Sequence, residues 1–476
     1  MSTETRQIIS GVKWTSIQFA LNTLFKFGVK LLLAKLLLPD DFGLVGMTSI
    51  FIAIAEAASE LGMGAALIQK SSDEEAVPLY STAYWSGLVW GLGLYLIMAL
   101  IVGPFAASFY EEPSLKVLLP VLSIGVLIKP LNLIHTVILT RKMDFKKLAL
   151  INNLSALIAG VLGLSLAFLG FGIWSLVINN VLAILLSVPM LFYITKWKPL
   201  FEWNASYFRE IFGFGAFSTG TVIFGTITYN VDNLLIGKFL GAKMLGSYTV
   251  AFALTEQLRM TISSILNKVM FPVFGKNQKN TELLGKYFLN ILNINAIFIY
   301  PIMGFLFLFS EVLILGFFGE EWVDAIVPLK LLSVAVMVHL IVNSFAAIIR
   351  GIGKPELEMK IIVSLTLFIL IPGLYFGISF FGLIGAGYAV VFNKIGLAII
   401  GLYVLNREIK VRIDQVFYAL KGTFISIGVA GIAVVLIFTY SNITYFISIP
   451  LYFLIYFTLI FFLERKNIQS LLRSMN

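Results

Sequence analysis

The chain has 476 residues, of which 59% are hydrophobic and only 12% are charged. A soluble protein cannot bury so large an apolar fraction, and no polar stretch is long enough for a separate soluble domain, so the composition indicates a membrane protein. The absence of cysteine excludes disulfides and thiol catalysis, and two histidines cannot make a multi-histidine metal site. The net charge of +9 does not indicate a nucleic-acid partner, because the basic residues lie in short loops between apolar stretches.

Apolar stretches long enough to cross a bilayer, roughly 20 residues each, follow one another along almost the whole chain. The first stretch is too long for a cleaved signal peptide, so it is predicted to be a retained span. The predicted fold is an all-α polytopic membrane protein with about 14 transmembrane helices. These helices are predicted at residues 12–38, 42–68, 77–107, 115–140, 145–169, 172–195, 207–240, 244–271, 284–310, 323–349, 358–380, 382–405, 414–439 and 443–463.

The distribution of lysine and arginine predicts the orientation in the membrane. An even number of spans places both termini on one side, and the termini with the even-numbered loops hold 24 of these residues. The odd-numbered loops hold 5, and the remaining 5 of the 34 lie within spans. Because short basic loops stay in the cytoplasm, we expect both termini to be cytoplasmic.

An internal repeat with an offset of about 203 residues divides the chain. Leu31–Lys35 with Phe42-Gly43 aligns with Leu234–Lys238 with Leu245-Gly246, and Gly11–Trp14 aligns with Phe214–Phe217. Six helices separate the copies, so they are parallel repeats, and carriers of this type bind substrate between their halves. The predicted domains are an N-lobe over 1–200, a C-lobe over 201–410, and an appended helix pair with a cytoplasmic tail over 411–476.

Charged residues inside the predicted spans of the first half are candidates for a substrate site. Lys26 and Lys30 share one face of helix 1, and Glu56 and Glu60 share one face of helix 2. Lys26 and Glu56 lie at similar depth, so a structural ion pair between helices 1 and 2 is one interpretation. The other is that the surplus cations line a cavity and bind an anionic group. Lys129, in mid-helix 4 with no acid near it in sequence, favours the second interpretation.

The second half carries a similar set of charges. Glu256 and Arg259 are three residues apart on helix 8, which is typical of an intrahelical pair, while Lys394 in helix 12 has no obvious local partner. Asp232 lies beside Asn233, so a carboxylate among amides offers oxygen ligands to Na⁺, or a site for a proton. A structural alternative is that Asp232 pairs with Lys394 or Arg259. We expect His135 and His339 to be buried hydrogen-bonding residues.

The interior set contains one more cation than acids, which suits an anionic substrate slightly better than a cationic drug. The predicted cavity cations are Lys26, Lys30, Lys129, Arg259 and Lys394. The predicted acids are Glu56, Glu60, Asp232 and Glu256.

Short motifs in a specific order give a resemblance to a known family. They are Ile9–Trp14, Leu33–Leu44, Leu61-Gly62 with Ala66–Lys70, Arg141–Phe145, Val231–Lys238 with Gly246–Tyr248, Phe271-Pro272 and Phe318–Trp322. Over about the first 410 residues the chain resembles the Wzx-type flippases, the polysaccharide transporters of the multidrug/oligosaccharidyl-lipid/polysaccharide exporter superfamily. It is most similar to the branch of the colanic acid and teichuronic acid exporters.

The resemblance implies two pseudo-symmetric six-helix lobes, in the fold shared with the multidrug exporters and the peptidoglycan-precursor flippase of that superfamily. It implies an undecaprenyl-diphosphate-linked oligosaccharide that moves from the inner to the outer leaflet of the bacterial cytoplasmic membrane. Coupling to H⁺ or Na⁺, contact with polysaccharide polymerase machinery, and binding of the diphosphate by Lys26, Lys30 and Lys129 are further implications. No cofactor is expected.

Three alternatives stay open on the sequence. A multidrug antiporter would favour a cavity dominated by acids, and a peptidoglycan-precursor flippase would carry another diphosphate lipid. A membrane enzyme, such as a polymerase or lipid-linked glycosyltransferase, needs acid–base groups in an accessible site. The pairs Glu111-Glu112 and Glu320-Glu321 are better explained as solvated loop residues, so transport without covalent chemistry is the favoured interpretation.

Overall fold

The computed structural model describes residues 22–59, 63–69, 76–261, 263, 274–441 and 445–465. Over these ranges the chain is almost entirely helical and contains no strand. A helix satisfies its own backbone hydrogen bonds, which a lipid environment requires because it offers no water to replace them. Nine helices in the described ranges are long and apolar enough to cross a membrane. Each of the fourteen predicted stretches contains a helix, so the predicted fold class is confirmed.

Ten helices occupy the first half of the chain. They are α1 (22–36), α2 (Pro39–Ser59), α3 (Met63–Gln69), α4 (Ala76–Ile97), α5 (Gly103–Tyr110), α6 (Leu115–Leu122), α7 (Ile124–Arg141), α8 (Phe145–Phe168), α9 (Ile173–Thr195) and α10 (Ala205–Phe252). A π-helical segment, Met98–Val102, joins α4 to α5. The motifs Ile9–Trp14 and Phe271-Pro272, together with Glu60, lie outside the described residues.

The second half begins with the π-helical segment Ala253–Gln257, and eight of its helices have both ends within the described residues. They are α11 (Thr281–Leu308), α12 (Ser310–Leu313), α13 (Ile326–Leu340), α14 (Phe345–Gly351), α15 (Pro355–Leu365), α16 (Ile371–Ile409), α17 (Ile413–Ser441) and α18 (Tyr445–Leu463).

Two glycines turn the long helices α10 and α16 into helical hairpins. Gly241 has a φ of 80° and Gly382 a φ of 57°, in the left-handed region that an L side chain rarely adopts. The chain therefore reverses at these residues without a longer loop. Gly241 lies between predicted helices 7 and 8, and Gly382 is the first residue of predicted helix 12.

The chain forms two compact units, Met1–Thr249 and Val250–Asn476. In the first unit α9 packs against α7 and α8, and α7 also packs against α4. In the second unit α11 packs against α13 and α17, α13 packs against α16, and α17 packs against α18. The division falls inside predicted helix 8 and inside α10, near the end of the first helical hairpin of the second repeat. The predicted lobes at 1–200 and 201–410 follow the repeat instead, and remain a prediction.

An extended strap, residues 196–204, links the two repeats and lies along α4. Its polar backbone groups are bonded by side chains of that helix. Trp85 Nε1 donates to the Leu200 carbonyl at 2.8 Å, and the Leu200 N–H donates to Ser81 Oγ at 3.1 Å. The Asn204 N–H donates to Thr82 Oγ1 at 3.2 Å. These bonds replace the backbone pairing that an irregular segment lacks.

The terminal hairpin, α17 and α18, docks on α11 through two tyrosines. Pro301 has no N–H, so it cannot donate to the Ile297 carbonyl one turn earlier in α11. The Tyr456 hydroxyl donates to that carbonyl at 3.0 Å, and the Tyr452 hydroxyl donates to the Pro301 carbonyl at 3.2 Å. No sequence motif marks this pair of helices, and the contact shows how the second unit retains them.

Large apolar side chains face outward along many helices. Phe168, Phe380 and Phe462 are examples, each at least 70% exposed. A soluble protein rarely exposes apolar patches of this extent, whereas lipid tails cover them without penalty. The surface and the spans together define a multi-pass membrane protein.

Candidate functional site

Lys26 and Lys30 lie one turn apart on α1. On the adjoining face Phe25 and Val29 pack against Gly160 of α8, where an added β-carbon would stand 2.9 Å from Val29 Cγ2. This packing holds α1 by its apolar residues, so the lysines are not its packing face. Lys26 is exposed and Lys30 is partly buried. Across the described residues, neither lysine forms an ion pair.

Glu56 of α2 lies beside Lys129 of α7. The Lys129 Nζ is 3.9 Å from Glu56 Oε2 and 3.5 Å from the Glu56 carbonyl oxygen. Gly125, one turn before Lys129, faces Ile184 and the carboxylate: an added β-carbon there would stand 2.8 Å from Ile184 Cδ1 and 4.0 Å from Glu56 Oε1. Both side chains stay more than a third exposed, so the pair is loose and accessible. The sequence suggested Lys26 as the partner of Glu56, and it could not reveal that α7 brings Lys129 there.

Asp232 is buried within the helical hairpin of α10. The Tyr248 hydroxyl donates to Asp232 Oδ2 at 2.6 Å, and the Asn233 N–H donates to Oδ1 at 2.9 Å. A carboxylate offers about four lone-pair positions, so it can accept hydrogen bonds and bind a cation or a proton together. No group of three or more acidic or histidine residues that could bind a metal ion occurs in the described ranges. A cation at Asp232 would thus need carbonyl, amide or water oxygens to complete its shell.

Glu256, Arg259 and Lys394 form one buried network in the second unit. Arg259 Nε donates to Glu256 Oε2 at 2.7 Å, and Lys394 Nζ is 3.6 Å from Glu256 Oε1. Arg259 also donates to Asn343 Oδ1 at 2.6 Å. Glu256 lies in the π-helical segment Ala253–Gln257, a local geometry that is frequent at functional sites. The expected pair of Glu256 with Arg259 is present, and Lys394 joins it from α16.

The two histidines occupy different surroundings. His135 Nδ1 is 2.6 Å from Thr195 Oγ1, and its ring lies against Phe192 with 4.1 Å between the ring centres. His339 Nδ1 is buried without a hydrogen bond to any part of the chain that the structure describes. His135 is therefore a packed residue that fixes the end of α9.

Sequence reasoning did not identify Tyr248 or Asn343 as partners of the interior charges. Tyr248 lies 16 residues from Asp232, across the turn at Gly241, and Asn343 lies 84 residues from Arg259. The only local signal was that Asp232 and Tyr248 lie on opposite arms of one predicted hairpin. Asn343 follows the end of α13, and nothing in its sequence neighbourhood indicates a charged partner.

The helices and their interior charges are those of a transporter-like, multi-pass membrane protein. Residues 32–327, more than half of the chain, match the polysaccharide biosynthesis protein family. The chain belongs to that family.

Characterised relatives extend over most of the chain. The teichuronic acid biosynthesis protein TuaB of Bacillus subtilis is 28% identical, and the match covers 91% of this chain and 89% of that protein. The lipopolysaccharide biosynthesis protein WzxC of Escherichia coli is 25% identical, with 84% and 81% covered.

Solved structures share the fold. The lipid II flippase MurJ, in an inward closed conformation, superposes with a TM-score of 0.75 at 16% identity, covering 95% of this chain and 99% of that one. An inward-facing multidrug transporter of the MATE family and MOP superfamily gives a TM-score of 0.67 at 20% identity, with 82% and 94% covered. At these identities the likeness establishes the fold of the chain and nothing more.

Proposed function

We propose that this protein is a flippase that moves oligosaccharides linked to undecaprenyl diphosphate from the inner to the outer leaflet of a bacterial cytoplasmic membrane. The observation that carries the proposal is the pair Lys26 and Lys30, two cations on an apolar helix with no ion pair among the described residues. A charge on a helix that crosses the apolar interior of a membrane is unfavourable unless a ligand or water compensates it. The diphosphate of a lipid-linked sugar supplies compensating negative charge.

The family and its relatives support the same conclusion. The names of TuaB and WzxC associate both proteins with polymers of the cell surface. A polymer made from lipid-linked units requires those units to cross the membrane before assembly. Transport of this kind proceeds by alternating exposure of one site and needs no covalent chemistry. Polysaccharide polymerase machinery is the expected next user of the exported unit.

Lipid analysis after depletion of the protein tests the proposal. We expect mass spectrometry of membrane lipids to show a build-up of oligosaccharide on undecaprenyl diphosphate, with fragment masses that identify the glycan. An unchanged lipid-linked pool with new sensitivity to cationic compounds would favour a multidrug antiporter. Accumulation of the peptidoglycan precursor would instead favour a flippase for that lipid.

Alanine substitutions test the two lysines. Lys26→Ala and Lys30→Ala should each lower flipping by at least tenfold at normal protein abundance, because the diphosphate loses a charged partner that is worth about 1.5–3 kcal/mol. Lys116→Ala, at an exposed lysine in the first turn of α6, is the matched control and should keep full activity. Full activity in both α1 variants would contradict the proposed role.

We place ion coupling at Asp232, with Na⁺ or H⁺ as the coupling ion. Its carboxylate is buried and accepts a hydrogen bond from Tyr248, and its oxygens suit a cation or a proton. Asp232→Asn preserves the shape and removes the charge, so flipping should lose its response to a Na⁺ or pH gradient. Tyr248→Phe keeps the carboxylate and should retain the response. An unaltered response in Asp232→Asn would exclude this residue as the coupling site.

A further inference from the structure

The two copies of the internal repeat contact each other inside the first unit. At the start of α2, Gly43 lies so close to the second copy that an added β-carbon would overlap the Ala242 carbonyl oxygen. In the second copy, an added β-carbon at Gly246 would overlap the Pro39 carbonyl oxygen. Backbone therefore touches backbone at both points, as in helix pairs that pack through small residues. We call this contact, formed by Pro39, Gly43, Ala242 and Gly246, the outer seam.

The outer seam is reciprocal. Adding the repeat offset of 203 to Pro39 and Gly43 gives Ala242 and Gly246, so each copy places the same glycine on the same carbonyl of the other. A contact that two quasi-identical segments make in both directions reflects their relation by the repeat and not a chance approach of two loops. Glycine is required at both positions, because any side chain would force the two backbones apart.

Further contacts extend the seam toward the end of α5. Gly237 lies under the Tyr110 ring, where an added β-carbon would stand 3.0 Å from Cε1. The next residue, Lys238, has its Nζ 3.0 Å from Glu111 Oε1 and 5.4 Å from the centre of the Phe109 ring. Glu111 is largely exposed, so this ion pair lies at the rim and contributes little energy on its own. It marks where the seam meets solvent.

We propose that the outer seam is the closed outer gate of the transporter, and that it must part for cargo to leave. The inference rests on the proposed function and on the predicted orientation, which places the turn at Gly241 and the end of α5 on the outer face. Two backbone contacts and one exposed ion pair hold the seam, together with the buried side chains of Leu245 and Met47, which pack against Gly46 and Gly237 of the opposite copy. The contact lies at the turn ends of two helical hairpins, so it can part without unfolding either hairpin.

Alanine substitutions at the seam test the closed contact. Gly43→Ala and Gly246→Ala should each prevent full closure and lower flipping by at least tenfold. Gly93→Ala on α4, where an added β-carbon meets nothing within 4 Å, is the matched control and should leave flipping unchanged. Opening is read from Leu245→Cys, a substitution at a buried seam residue that introduces the single thiol into a chain with no cysteine of its own.

A membrane-impermeant maleimide added from outside reports whether the seam is open. It should label the thiol of the Leu245→Cys variant at least tenfold faster when Gly43→Ala is present, and no faster with Gly93→Ala. An equal labelling rate with Gly43→Ala and with Gly93→Ala would overturn the proposal. Labelling only from the cytoplasmic side would overturn it as well, because the seam would then not be an outer one.

A cross-link tests the seam without altering its glycines, in case the alanine variants do not fold. In the variant Glu111→Cys with Lys238→Cys, a short bifunctional methanethiosulfonate should stop flipping, and a reducing agent should restore it. The control Glu111→Cys with Lys116→Cys bridges one loop and should keep its activity after the same treatment. Flipping that continues through a complete 111–238 cross-link would refute the gate.

These outcomes are separable from a failure of the proposed function. Maleimide labelling of the Leu245→Cys variant needs no cargo, so it reports on the seam even if lipid-linked oligosaccharide proves not to be transported. Conversely, the lipid pool after depletion reports on cargo whether or not the seam opens.

Discussion

At the scale of single residues, Glu256 of the second unit contacts its two cations unequally. Glu256 and Arg259 are 3% and 8% exposed and share a short, hydrogen-bonded contact. Lys394 approaches the same carboxylate from a longer distance and with less burial. Removing one partner from a buried pair leaves a charge that nothing compensates. This lowers the stability of the fold far more than replacing a loosely held third charge does.

Substitutions at Glu256 and Lys394 should therefore differ sharply. Glu256→Gln leaves two buried cations without a counter-charge, and we expect a loss of about 3–5 kcal/mol of stability. Lys394→Met leaves Glu256 with Arg259 as a neutral pair, so its stability should stay within about 1 kcal/mol of the parent. Thermal unfolding in detergent measures both variants, and equal destabilisation would show that all three charges act as one unit.

A double variant tests whether the loose pair of Glu56 and Lys129 holds two helices together or acts in transport. If the pair only holds α2 to α7, the double variant Glu56→Gln with Lys129→Met should recover the activity that either single variant loses. We expect the double variant to remain inactive, because the cation itself is required for the diphosphate. Its thermal stability should match the parent within about 1 kcal/mol, as for other exposed pairs. A recovery of flipping in the double variant would assign the pair to structure.

At the scale of elements, proline placement explains how the terminal hairpin stays attached. Pro301 removes a donor inside α11, and Tyr456 restores one from α18. Gly304, one turn after Pro301, makes space for the Tyr452 hydroxyl, which an added β-carbon would overlap. The cluster continues into Ala430 and Val434 of α17, so the hairpin and α11 share one apolar core.

The hairpin contact should be sensitive to a single methyl group. Gly304→Ala forces Tyr452 away, and overpacking of this kind typically destabilises by about 1–3 kcal/mol. Gly428→Ala on α17, where an added β-carbon has open space, should cause no loss. Limited proteolysis of the loop between α16 and α17 and the melting temperature in detergent report the difference. Equal melting temperatures for the two variants would contradict the tyrosine contact.

The sequence predicts the helices better than it predicts the contacts between them. Hydropathy predicts spans because lipid selects apolar length, and Gly241 and Gly382 fall at the predicted breaks between helices. Depth along a helix also follows from residue number, which is why Lys26 and Glu56 could be proposed as neighbours. Which helix lies beside Glu56 depends on tertiary packing, and a single sequence carries no signal that α7 delivers Lys129 or that Asn343 meets Arg259.

At the scale of the whole molecule, the basic loops predict one orientation for every connection. A chain without cysteine permits a direct test with single substitutions in or beside the loops. Glu112→Cys and Glu320→Cys should react with an impermeant maleimide in intact cells, because their loops are predicted to be outside. Lys142→Cys and Glu356→Cys should react only after permeabilisation. A reversed pattern would place both termini outside and contradict the proposed direction of export.

At the same scale, the reciprocal contacts of the outer seam have the symmetry of a dimer interface. A contact in which Gly43 meets the counterpart of Pro39, and Gly246 meets Pro39 itself, is what two identical subunits form about a two-fold axis. The chain thus contains within itself the kind of interface that a symmetric homodimer forms. Because both sides belong to one chain, each side can differ in sequence from the other. Pro39 and Ala242 now differ, whereas the glycine that faces each of them is the same in both copies.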